Sequence, residues 1–136
     1  MASASEILKA YLHCARTPAE DAVERIRHFF REYAVYNSEI SLFALTKVLY
    51  NSDNTCFHRE SRSGMVQLLT ECIQYGLDRG ELSSGHTAAE IGNFLMVCIR
   101  GLVYDWCISD GSYDLKERMK VYVDVLLMPF CTTPRQ

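Results

Sequence analysis

The sequence lacks an excess of basic residues. Lys and Arg number 14 against 17 Asp and Glu, which gives a formal net charge of −3. Contacts with nucleic-acid phosphates need a basic surface, and no cluster of Lys and Arg stands out along the chain. We therefore do not expect these residues alone to bind nucleic acid.

Motifs for catalysis, metal binding and redox chemistry are also missing. The six cysteines include no C-x-x-C pair, and Cys and His do not cluster at the spacings of a zinc site. There is no glycine-rich phosphate loop, and the four histidines are scattered through polar or loop contexts. We expect no enzyme activity, no metal and no cofactor. We interpret the cysteines as free, buried thiols of a cytoplasmic protein.

The sequence also shows no segment that would target the chain to a membrane or anchor it there. Residues 1–16 lack the basic and apolar regions of a signal peptide. The longest apolar runs, Phe94–Ile99 and Val125–Cys131, are far shorter than the roughly 20 residues of a membrane span. We therefore expect no membrane association.

What the sequence does contain is a series of amphipathic helical patterns. Only three prolines occur, and no strand-like alternation persists. The periodicity predicts an all-α domain of five or six helices. Their expected ranges are 3–14, a helix opened by the capping box Thr17-Pro18-Ala19-Glu20 and running to about Ala34, 39–51, about 57–79, 87–109 and 114–130.

Local signals mark the boundaries of these helices. Asn37-Ser38 is expected to end the second helix and cap the third, and Gly80 to supply the left-handed residue after the fourth. Thr87 with Glu90, and Asp114 with Glu117, are capping patterns that open the last two helices.

The last two helices are apolar on almost every side. Such a helix is either central in its domain or shared with a partner, and too few other helices are present to cover both. We therefore expect an isologous homodimer in which these helices form a four-helix bundle. We interpret Gly101 as a point of close helix approach, the alternative being a tolerated mid-helix glycine. The residues assigned to the interface are Ile91, Leu95, Leu102, Trp106, Tyr122, Val125 and Leu126.

Three stretches then suggest a family. Gly80-Glu81-Leu82, Ala88-Ala89-Glu90-Ile91, and above all Arg100-Gly101-Leu102-Val103-Tyr104-Asp105-Trp106 followed by Ser112-Tyr113-Asp114-Leu115-Lys116 resemble the C-terminal half of TetR-type repressors, especially the multidrug-efflux regulators. The likeness covers residues 80–128 well, and residues 3–79 only as a helix pattern.

The resemblance implies a division of labour between two domains. In that family an N-terminal helix-turn-helix domain binds operator DNA, and the C-terminal helical domain binds small effectors and dimerises through its last two long helices. This sequence departs from the pattern because no helix-turn-helix precedes residue 17. The resemblance thus implies that residues 1–16 are the tail of the helix connecting the domains. Residues 17–136 are then the effector-binding and dimerisation domain.

A pocket for a small hydrophobic or cationic effector is the function that remains. Aromatic rings and Met on the apolar sides of the middle helices suit ligands of varied shape. The alternative is that they simply fill the core, in which case the chain is a helical protein-interaction module without a ligand. Arg100 is interpreted as a polar anchor of the pocket, an interface ion-pair partner or a charge at a helix edge. The candidate ligand-binding residues are Phe29, Phe30, Tyr33, Phe43, Tyr50, Met65, Cys72, Tyr75, Phe94, Cys98 and Arg100.

Overall fold

A computed structural model describes residues 21–40 and 55–132, with the side chains of 21–38 and 66–132. Four α-helices lie in these ranges: α1 (Ala22–Val35), α2 (Thr55–Asp78), α3 (Ala88–Ile108) and α4 (Leu115–Leu127). A π-helical turn, Tyr36–Ile40, follows α1, and a 3-10 turn, Met128–Phe130, follows α4. The described residues contain no strand, which confirms the all-α class. The helix predicted over 3–14 lies outside them, and so does the helix predicted over 39–51 except for residues 39 and 40, which belong to the π-helical turn.

The first described helix begins later than its sequence pattern indicates. Asp21 has extended backbone angles, and its carboxylate accepts a hydrogen bond of 2.8 Å from the Glu24 amide. This carboxylate satisfies an amide that would otherwise lack a helical partner, so Asp21 is the N-cap. The start predicted at Pro18 is therefore wrong, and the helix begins at Ala22. The Thr17–Glu20 box itself lies outside the described residues.

The Asn37-Ser38 pair changes the end of α1 in a way that the sequence did not indicate. The Asn37 amide donates to the Tyr33 carbonyl at 2.8 Å, and the Ser38 hydroxyl donates to the Ala34 carbonyl at 2.7 Å. Both bonds reach back four residues, so within the described residues these side chains serve α1 and its π turn. The next helix, which they are predicted to cap, lies mostly outside the described residues.

The boundary signals at Gly80, Thr87 and Asp114 are confirmed, but the last α-helix ends at Leu127 and not at the predicted residue 130. The Glu90 amide donates to the Thr87 hydroxyl at 3.2 Å and the Thr87 amide donates to the Glu90 carboxylate at 2.9 Å, a reciprocal capping box. The Asp114 carboxylate caps α4, and Gly80 has a φ of +75°. Asp110 and Gly111, with φ of 56° and 65°, make the tight turn between α3 and α4.

The four helices surround one apolar core. Helix α1 packs on α2 and α4, and α3 completes the arrangement by packing on the same two helices. A close approach is built at Gly76, where an added Cβ would lie 2.7 Å from both the Ala22 Cβ and the Leu82 Cδ1. The fully buried side chains include Ile26, Phe30, Leu69, Ile73, Leu95, Ile99, Met119 and Leu127.

Helix α3 also meets a membrane-span criterion of length and composition. Its most apolar 18-residue window has a mean hydropathy of 1.4, although half of that window is buried inside the chain. A largely buried core helix passes the same test, so this is weak evidence for a span.

Candidate functional site

Four of the candidate ligand-binding residues lie in the apolar core. Phe29, Phe30, Tyr33 and Cys72 are each no more than 5% exposed, and the Phe29 and Phe30 rings meet edge to face at 5.0 Å. Tyr75 is half-buried at the edge of α2. Phe43, Tyr50 and the side chain of Met65 lie outside the described residues.

The candidates on α3 do not join this cluster. Phe94 is 45% exposed and its ring meets that of Phe130 at 6.2 Å, so it lies on the outer side of α3. Cys98 and Arg100 are half-buried. The sequence grouped Phe94 with the core because its helix is apolar all round, which hides the direction of each side chain.

The residues assigned to the dimer interface divide into two groups. Ile91, Leu95, Leu102 and Trp106 are at most 6% exposed and belong to the chain's own core, so they offer no surface to a second copy. Tyr122 and Val125 are exposed, and Leu126 is partly buried against the core. The assignment of the first four to the interface is therefore corrected.

A different set of apolar side chains is open to solvent. On α3 they recur with three-and-four spacing, and exposed Gly101 takes the middle position with nothing within 4 Å of where its Cβ would be. Each of the large residues is between 45% and 69% exposed. We call this surface the apolar stripe: Phe94, Val97, Gly101, Tyr104 and Ile108 on α3, with Val121, Tyr122, Val125 and Met128 on or just after α4.

The most specific of the motifs that resemble TetR-type repressors builds the corner between α3 and α4. The Tyr113 hydroxyl donates to the Asp105 carboxylate at 2.8 Å, and the Trp106 indole N–H donates to the Tyr113 carbonyl at 3.0 Å. The Arg118 guanidinium lies 3.9 Å from the centre of the Tyr113 ring. Burial, followed by the hydrogen bond to Asp105, raises the pKa of Tyr113 to about 12. In the described chain Asp105 and Trp106 thus orient two helices.

A polar row on α1 was missed by sequence reasoning. It consists of Arg25, Glu32 and Tyr36, which follow one another at seven and four residues and therefore share one side of the helix. The Arg25 guanidinium lies 3.9 Å from the centre of the Tyr75 ring, so this side faces α2. In sequence, Arg25 and Glu32 read as part of the solvent face of an amphipathic helix.

Glu32 is the unusual member of this row. Its side chain is only 10% exposed, and one carboxylate oxygen lies 3.4 Å from His28 Nε2. The other oxygen, Oε2, is buried and has no hydrogen-bond partner among the described residues. Burial disfavours the charged form and raises the pKa of Glu32, while His28 and Arg31 act in the opposite direction.

The described part of the chain offers few grouped side chains for metal binding or redox chemistry. Cys72 and Cys107 are buried, and Cys98 and Cys131 are half-buried. Among the described residues, no three His, Cys, Asp or Glu side chains converge as a metal site would require.

Comparison with known proteins adds no relative. No protein-family model matches the sequence, and no curated protein or solved structure matches it significantly. The likeness to TetR-type regulators therefore depends on the motifs quoted above.

Proposed function

We propose that this chain is the ligand-sensing and dimerisation half of a TetR-type transcriptional regulator. It would bind a small hydrophobic or cationic effector and thereby control operator binding by a DNA-binding domain. The observation that carries the proposal is the apolar stripe on α3 and α4.

The stripe favours a homodimer over a monomer. Its eight large side chains are each between 45% and 69% exposed, whereas monomeric soluble proteins usually expose large apolar side chains singly. Two copies related by a two-fold axis would cover the same stripe on each other and make a four-helix bundle. Exposed Gly101 has no side chain to hold a neighbouring helix away.

The sensing half of the proposal is supported by what α1 and α2 bring together. Phe29, Tyr33 and Cys72 supply polarisable apolar surface, and Tyr75 extends it to the edge of the core. Beside them Glu32 carries a buried carboxylate oxygen without a partner among the described residues. A cationic aromatic ligand would stack on the rings and compensate that carboxylate.

The implied mechanism is a shift between two populated states. An effector held between the middle helices would favour one spacing of the two connecting helices, and so of the DNA-binding domains beyond them. Residues 3–14 are the segment expected to transmit the change, and they lie outside the described residues.

One observation favours the alternative, a helical protein-interaction module without a ligand. Phe29, Phe30, Tyr33 and Cys72 are at most 5% exposed, as they would be in a core that is simply filled.

A thermal-shift screen distinguishes the two functions. The intact chain is tested against aromatic cationic dyes and neutral hydrophobic drugs, and at about 100 times its Kd a true effector should add roughly 2.7 kcal/mol of stability. Cys72→Phe should abolish the gain by filling the space, and Cys72→Ser is the control without added bulk. Glu32→Gln should weaken cationic ligands and spare neutral ones. If no compound stabilises the wild-type chain, the interaction module replaces the sensor.

A further inference from the structure

A second candidate site lies on a different side of α1 from the Arg25–Glu32–Tyr36 row. Helices α1 and α4 leave between them a cleft with a volume of about 540 Å³. Phe30, Met119 and Val123 form its apolar floor and are each at most 2% exposed. The volume falls within the range of about 300–1,000 Å³ that is typical of small-molecule sites.

One end of this cleft is closed by an ion-pair triad. The Arg27 guanidinium donates to the Glu24 carboxylate at 2.6 Å and to the Asp124 carboxylate at 2.8 Å, which joins α1 to α4. With distance from this bridge, the residue numbers of the lining residues increase along α1 to Val35 and decrease along α4 to Lys116. The two helices therefore run antiparallel along the cleft.

The other end of the cleft is basic. Arg31, Lys116 and Lys120 line it and are exposed, and Glu117 is the one acidic residue among the lining residues there. The cleft thus combines an apolar floor, an end neutralised by ion pairs and an end with excess positive charge. Its charge distribution is complementary to a ligand with one apolar and one anionic end.

We propose that the α1–α4 cleft binds an amphipathic carboxylate. The alkyl or aryl portion lies along the cleft above Phe30, Met119 and Val123, against half-buried Val35 and the aliphatic stems of the lining Lys and Arg side chains, and the carboxylate is held at the basic end by Arg31 and Lys120. Such a ligand would contact both helices and stabilise their packing. Of the candidate effector-binding residues in the described part of the chain, Phe30 alone lines the cleft, and Glu32 does not line it, so the cleft does not depend on the proposed effector pocket.

The two sites favour ligands of opposite charge, so binding in the cleft can be distinguished from binding near Glu32. The buried Glu32 carboxylate oxygen, which has no hydrogen-bond partner among the described residues, favours a cation, whereas the basic end of the cleft favours an anion. A cationic amphiphile of the same chain length is therefore the matched ligand control.

The test uses dodecanoate, below its micelle concentration, with the intact chain. Calorimetry gives the affinity, and methyl-¹³C-methionine NMR reports the location because Met119 lines the cleft while Met96 is buried on α3. We expect saturable binding that shifts the Met119 methyl signal and leaves that of Met96 in place. Dodecyltrimethylammonium should neither bind the cleft nor displace dodecanoate.

Variants then test the basic end. Because exposed charge pairs contribute modestly, Arg31→Gln with Lys120→Gln should weaken dodecanoate binding about tenfold. Arg118→Gln is the control for Lys120→Gln alone: each removes one positive charge from α4, but Arg118 stacks on Tyr113 and does not line the cleft. The proposal is overturned if dodecanoate does not bind, if Met96 shifts in place of Met119, if the cation binds equally well, or if Lys120→Gln and Arg118→Gln behave alike.

Discussion

Gly76 and Gly101 both lie inside helices, but their surroundings are opposite. An added Cβ at Gly76 would lie 2.7 Å from the Ala22 Cβ, whereas no atom of the described residues lies within 4 Å of the same point at Gly101. The first glycine is therefore needed for packing within the chain. The second restricts nothing inside the chain and leaves room for a neighbouring helix.

We predict that Gly76→Ala destabilises the chain. The extra methyl must push α2 from α1 or displace Leu82, and overpacking of this kind costs about 1–3 kcal/mol. Urea denaturation monitored by circular dichroism measures the change. Gly101→Ala is the matched control, which should leave the folding of the single chain intact and gain up to about 1 kcal/mol from helix propensity. Equal destabilisation by both substitutions would contradict this account of Gly76.

Glu32 should make stability depend on pH in a defined direction. Burial raises the pKa of Glu32 in the folded chain above its usual value of 4.5. At a pH between the usual and the raised pKa, the folded chain therefore binds this proton more readily than the unfolded chain. The contribution of Glu32 to the free energy of unfolding therefore falls as the pH rises through that window.

Glu32→Gln removes this contribution. The difference in unfolding free energy, variant minus wild type, should rise with pH from 4.5 upward and then level off. Urea titrations of both proteins at several pH values measure it, and the subtraction removes the other carboxylates. A difference that stays constant with pH would show that Glu32 titrates normally.

At the scale of the element, short-range signals predicted most helix boundaries. Thr87, Asp114 and Gly80 act as predicted because their bonds and backbone angles involve residues within about one turn. The start of α1 was predicted wrongly because two capping residues, Thr17 and Asp21, stand four residues apart. Local sequence did not indicate that the helix begins at the second.

The position of this cap gives a direct test. Asp21→Ala should cost about 1 kcal/mol of stability, because the Glu24 amide loses its partner at the helix start. Asp21→Asn, which keeps a side-chain oxygen as acceptor, should lose much less. Urea denaturation compares the three proteins. If the alanine variant is as stable as wild type, Asp21 is not the residue that caps this helix.

At the scale of the whole molecule, the sequence predicted the all-α class but not which side of each helix faces the core. The apolar excess of the last two helices indicated correctly that one core does not bury all of it. Because α3 is apolar all round, periodicity did not separate buried Leu95 and Trp106 from exposed Val97 and Ile108. Tertiary packing against α2 and α4 decides that division. The α1–α4 cleft likewise arises from residues distant in sequence.

The apolar stripe carries the proposal, so its burial between two copies is the claim to test first. We predict that Val125→Glu disrupts the dimer, because Val125 is 59% exposed and would place an unpaired charge in the interface. Gln67→Glu, which adds the same charge at an exposed position on α2, is the control and should remain dimeric.

Light scattering coupled to size-exclusion chromatography makes the most direct measurement. The wild-type chain and Gln67→Glu should have twice the 15.6 kDa mass of one chain, and Val125→Glu should have that mass once. A wild-type chain that stays at 15.6 kDa across the concentration range would contradict the dimer and, with it, the proposed regulator.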